Sequence, residues 1–140
     1  MSLGKEYEVA PATLVIKARP EAVKQVRDFV GMVFGAWGLD DHVARTVASE
    51  LATNAIQHGS RCGDPVVVRV FRREDGCVVV EAWDCSDLRP VVRPPDLGAE
   101  GGRGLQLLEA LVSRWGTRPL DGRGKVVFAE LEPVARDEII

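Results

Sequence analysis

Hydrophobic positions along the chain fall into blocks of two different periods. Ala12-Thr13-Leu14-Val15-Ile16-Lys17-Ala18 is a β-branched run and reads as a strand. Pro20 follows, and its fixed φ suits the opening turn of a helix. From there Ala22, Val23, Val26, Phe29, Val30, Val33 and Phe34 recur at steps of three and four through Gly35. That spacing predicts an amphipathic helix with one buried face. Asp40 or Asp41 caps a second helix that runs to about His58, with Val43, Val47, Leu51 and Ala55 as its core stripe and Gly59 as its stop. Residues 66–71 and 77–83 read as two strands joined by Glu74-Asp75-Gly76, because Asp-Gly between β-branched runs marks a hairpin. From 84 to 101 the periodicity fails and Pro90, Pro94, Pro95, Gly98 and Gly101 accumulate. A connection of that length is usually functional or mobile. A third helix is expected over 104–115, with Leu105, Leu108, Leu111, Val112 and Trp115 along one side. Gly122-Arg123-Gly124 then turns into a last strand over 126–131. The order β-α-α-β-β-loop-α-β predicts an α+β fold, a two-layer sandwich of a mixed sheet with helices on one face.

Composition narrows the class. The 140 residues suit one domain, expected over 10–132 with flexible termini at 1–9 and 133–140. A net charge of -3 without a dense Lys/Arg run argues against nucleic acid as the main partner. There is no apolar run of about 18 residues, so no membrane span is expected. The first residues lack a basic segment followed by an apolar one, so no secretory signal is expected. Three cysteines, Cys62, Cys77 and Cys85, point to free thiols in a reducing cytoplasm. With His58 they lack the paired spacing of a zinc site.

Three signals carry candidate chemistry. Glu50, Asn54 and either Gln57 or His58 lie on one face of the second helix, beside its apolar stripe. A carboxylate and a carboxamide there need partners. Asp84 stands where a strand meets the irregular segment, placed either to cap the turn or to accept a hydrogen bond from a buried ligand. Gly101-Gly102-Arg103-Gly104 opens the third helix, where glycines let backbone N–H groups approach a phosphate. The spacing is not that of a dinucleotide-binding fingerprint, and Gly122-Arg123-Gly124-Lys125 is not a P-loop, since a strand follows it.

Glu50-Leu51-Ala52-Thr53-Asn54-Ala55-Ile56-Gln57-His58-Gly59 resembles the N box of the GHKL, or histidine-kinase-like, ATPase superfamily. Asp84 is similar to the aspartate that reads adenine in the next box, and Gly102-Arg103-Gly104-Leu105 to the glycine box over the phosphates. With the short length and the closing Gly124-Lys125-Val126-Val127-Phe128-Ala129-Glu130-Leu131, the chain resembles the bacterial anti-sigma-factor serine kinases of that superfamily. The resemblance implies a nucleotide pocket between helices and sheet. Asn54 would bind Mg²⁺, and Glu50 would act as general base toward a serine of a partner protein. Asp84 would accept from the adenine amino group. Gly102 and Gly104 would reach the phosphates, Arg103 would offset phosphate charge from the lid, Leu105 would complete the glycine box, and His58 would line the pocket. The implied partners are a sigma factor and a STAS-type anti-sigma-factor antagonist, with a homodimer through the first strand and helix. The sequence departs from the family in one box: Asp84-Cys85-Ser86-Asp87-Leu88 lacks the glycines of D-x-G-x-G. Nor do Val126 and Val127 supply the threonine hydroxyl that many relatives place near adenine. The alternative is a non-catalytic binding module of the same fold.

Overall fold

A computed structural model describes residues 9–61, 63–85 and 104–138. The elements are β1 (Val9–Lys17), α1 (Ala22–Ala36), α2 (His42–His58), β2 (Pro65–Arg72), β3 (Val78–Asp84), α3 (Gly104–Leu111), β4 (Arg114–Pro119) and β5 (Lys125–Leu131). A short 3-10 turn follows at Arg136–Glu138. The strands form one sheet in the order β1-β2-β3-β5-β4.

Strand alternation sorts the side chains onto two faces. Ile16, Val66, Val68, Val70, Val78, Val80, Ala82, Val127, Ala129 and Leu131 share a single core with Val26, Val30, Phe34, Val47 and Leu51 of the helices. Burying each valine- or leucine-sized side chain contributes about 1.5–3 kcal/mol. Helix α2 lies across β2, β3 and β5, and α1 lies over β1 and β2. The small residues Ala44, Ala48, Ala52 and Ala55 bring α2 close to the strands. Val43 is exposed, contrary to the expected stripe. A strict step of four drifts by about 40° per turn against a 3.6-residue helix, so Ala44 takes the inner position instead.

Two expectations are corrected together. The third helix stops at Leu111 rather than Trp115. The Val112 N–H closes its last turn on the Leu108 carbonyl, and the Ser113 N–H already donates to Glu130. Residues 114–119 therefore form β4, an edge strand that pairs with β5. That extra strand reverses the direction of β5. A crossover from β3 through α3 straight into β5 would be parallel, whereas passing through β4 first makes β5 antiparallel to β3. All four pairings are antiparallel, so the sheet is not mixed. The two-layer α+β arrangement stands.

The second face of the sheet carries polar side chains, with none of the described helices over it. Glu81, buried there, accepts from the Trp83 indole at 2.9 Å and from Arg118 at 2.9 Å, with Arg69 at 3.7 Å. Glu130 is paired with Arg73 and Arg114. Each buried charge is met by cations, as burial requires. Beyond β5 the chain returns to the α1–α2 connection, where the Asp40 N–H donates to Val134 and the Arg136 N–H to Gly38. Among the described residues no helix is long and apolar enough to cross a membrane.

Candidate functional site

Helix α2 presents Glu50 and Asn54 one turn apart on one face. Glu50 is half-buried. It lines a cleft of about 320 Å³ between α1 and the first half of α2, with Arg27, His42, Arg45, Thr46 and Ser49. Burial raises its carboxyl above the ordinary 4.5, since desolvation penalises the charged form. Asn54 is also half-buried, and its Nδ2 is buried without a hydrogen-bond partner among the described residues. Such an orphan costs about 1–3 kcal/mol, so the position is poorly explained by folding alone.

Asp84 ends β3 on the helix-facing side, and Lys125, the first residue of β5, is its direct cross-strand partner. Lys125 Nζ donates to Asp84 Oδ1 at 3.1 Å and lies 2.9 Å from Oδ2. Both residues are buried. Two glycines grip Asp84. A Cβ on Gly59 would stand 2.2 Å from Asp84 Oδ2, and one on Gly124 would stand 2.4 Å from its carbonyl oxygen. Gly59 closes α2 as expected, yet its φ is -108°, so any residue could adopt its backbone. Closeness to Asp84, not a left-handed cap, requires glycine there. Arg123 fastens the same corner by donating from Nε to the Cys85 carbonyl at 3.1 Å.

The sequence-predicted residues divide into three groups. Asp84, the end of α2 and the start of β5 come together. Glu50 and Asn54 share a face, and His58 is exposed on the last turn. Gly104 and Leu105 open α3, whereas Gly102 and Arg103 lie outside the described residues, as do Ser86, Asp87 and Leu88. Lys125 and Ser60 were not foreseen. Ser60 Oγ is buried without a partner among the described residues, next to Gly59. The residue of β5 that stands beside Asp84 is Lys125, not Val126 or Val127. A lysine leading an apolar strand directly after a glycine was the available signal. Cys77 and Cys85 are free thiols, and burial raises the Cys77 thiol, keeping it protonated; Cys62 lies outside the described residues. Among the described residues no three His, Cys, Asp or Glu side chains gather to hold a metal ion. A cation shared with phosphate oxygens needs fewer protein ligands, and a single carboxamide such as that of Asn54 fits that chemistry.

Comparisons with known proteins bear on the fold and the family. No curated protein matches the chain. Among solved structures, the RsbU and RsbW domains of Rv1364c from Mycobacterium tuberculosis superpose with a TM-score of 0.62 at 20% identity, covering 89% of this chain and 33% of that one. The chain thus spans about a third of that protein's length, and the likeness is one of fold. The histidine kinase domain of a blue-light activated histidine kinase from Erythrobacter litoralis gives a TM-score of 0.48 at 18% identity, over 89% of this chain and 65% of that one. The family profile of the histidine kinase-like ATPase domain matches residues 16–130. With most of its length matched, the chain belongs to the histidine kinase-like ATPase domain family.

Proposed function

We propose that the chain binds ATP with Mg²⁺ and acts as an anti-sigma regulatory factor, phosphorylating a serine of a STAS-type antagonist and sequestering a sigma factor. The observation that carries the reading is the buried Asn54 Nδ2, without a partner among the described residues, one turn from half-buried Glu50 on a helix whose end rests against Asp84. The two ends of a carboxamide exchange by a half-turn, so Asn54 can turn its oxygen to a cation or its nitrogen to a phosphate oxygen. A Mg²⁺ ion held there would offset phosphate charge. Glu50 takes the proton from the serine hydroxyl while the serine oxygen bonds to the γ-phosphorus, and the bond to the β,γ-bridging oxygen breaks to release ADP. Its raised carboxyl pKa suits a base better than an ordinary glutamate does. Asp84 accepts from the adenine amino group. Gly102, Arg103, Gly104 and Leu105 would cover the phosphates, and His58 would stand at the rim.

Support for a partner-switching role comes from the RsbW domain in the superposed structure. Exposed Val15 on edge strand β1 and exposed Met32 on α1 support a homodimer through those elements. The absence of a membrane-crossing helix among the described residues is compatible with a cytoplasmic setting. A non-catalytic module of the same fold is the second reading, and the Lys125 ammonium already neutralising Asp84 favours it. Calorimetric titration with ATP, with and without Mg²⁺, followed by phosphate transfer to a cognate antagonist, separates the two. Saturable binding with transfer supports the kinase, binding without transfer supports the module, and no binding at millimolar nucleotide removes both nucleotide roles.

A further inference from the structure

We propose that Lys125 is a base-selectivity residue: held on Asp84, its ammonium donates a remaining N–H to a ring acceptor of the purine whose amino group Asp84 accepts. This rests on the ATP-binding reading above. Lys125 is 5% exposed, and its polar contacts among the described residues are the two oxygens of Asp84. An ammonium has three N–H donors, and one carboxylate facing it takes at most two. At least one donor is therefore buried without an acceptor among the described residues, and proteins rarely leave such a donor unmet. The pair has little freedom to turn elsewhere. Cross-strand register fixes Lys125 beside Asp84, and Gly59 closes the helix side with no room for even a Cβ.

Two further buried atoms without partners among the described residues lie along the C-terminal part of α2 and just past it, Asn54 Nδ2 and Ser60 Oγ. Under-satisfied polar groups on a helix end, with a spare donor on the adjoining strand end, match a ligand rich in acceptors. A nucleotide is such a ligand. Adenine offers an amino group at C6 beside a bare N1, a donor next to an acceptor. Asp84 with Lys125 is the complement, an acceptor next to a donor. Guanine and hypoxanthine placed the same way would turn an oxygen toward the carboxylate and an N–H toward the ammonium.

The test is titration of the whole chain, with Mg²⁺, by ATP and by 1-deaza-ATP, which keeps the amino group but carries C–H in place of N1. The expected result is binding of 1-deaza-ATP about tenfold or more weaker than ATP, the size of one charge-assisted hydrogen bond. In Lys125→Met the two should bind alike. Equal affinity of the unaltered chain for both nucleotides overturns the role of Lys125 and leaves the ATP reading intact. No binding of ATP overturns both. If Lys125→Met does not fold, the comparison on the unaltered chain still decides.

Discussion

Buried carboxylates stand on both faces of the sheet, and Glu81 on one is treated differently from Asp84 on the other. Glu81, on the face without a described helix, meets the Trp83 indole, Arg118 and Arg69. Donors face both of its oxygens, and Arg69 also lies over the aromatic rings beside it, 5.3 Å from the Trp83 ring and 5.6 Å from that of Phe71. Asp84, on the helix-facing side, faces the Lys125 ammonium, whose three donors meet one carboxylate among the described residues. Arginine offers a rigid fork that closes a site, while lysine offers a compact charge with rotatable donors. One carboxylate is closed in by arginines and an indole, and the other faces the point charge of an ammonium.

The largest effect that would sharpen this contrast lies on α2. Glu50→Gln should lower phosphate transfer by about 10²–10⁴-fold, the usual contribution of a general base, with ATP affinity nearly unchanged. Transfer at the unaltered rate in a radiolabel assay would remove Glu50 from that role. Next, Glu81→Ala should cost about 1–3 kcal/mol in urea unfolding, because it takes the acceptor from the Trp83 indole, Arg118 and Arg69. ATP affinity should hold in that variant, and a parallel loss of affinity would break the division between the two faces. Gly59→Ala should cost about 1–3 kcal/mol and weaken ATP binding, since the new methyl displaces the Asp84 carboxylate. Calorimetry and thermal melts on one sample read both quantities, and an unchanged Tm would deny the tight contact. The smallest effect concerns pH. A carboxyl raised in the folded state retains a proton that the unfolded chain has released, so stability falls as pH rises through that window. Glu50→Gln removes this penalty. The variant should be the more stable at neutral pH, with the advantage fading below about 4.5 in melts across a pH series.

Much of this was legible along the chain because it is local. The period of three and four in α1, the Asp-Gly hairpin and the Glu50/Asn54 stripe all lie within a few residues of sequence. Strand β4 was hidden, since Arg114-Trp115-Gly116-Thr117-Arg118-Pro119 has one β-branched residue and ends in proline, and its helical neighbours extend an apolar pattern into it. Lys125 was hidden for a different reason. A lysine at a strand start reads as solvated, and only pairing with a residue 41 positions away buries it. Gly59 was read correctly as a stop, but the reason was unreadable, because it lies in Asp84 rather than in its own backbone.

The parity of strands also governs chemistry at the sheet's centre. Had β5 followed α3 directly and run alongside β3 in the same sense, its first residue would lie at the far end of a seven-residue strand, about 20 Å from Asp84. The peripheral ribbon of six residues before it turns the chain around and delivers an ammonium to the carboxylate. Deleting that outermost ribbon would therefore alter which cation meets Asp84 without touching a single residue around it.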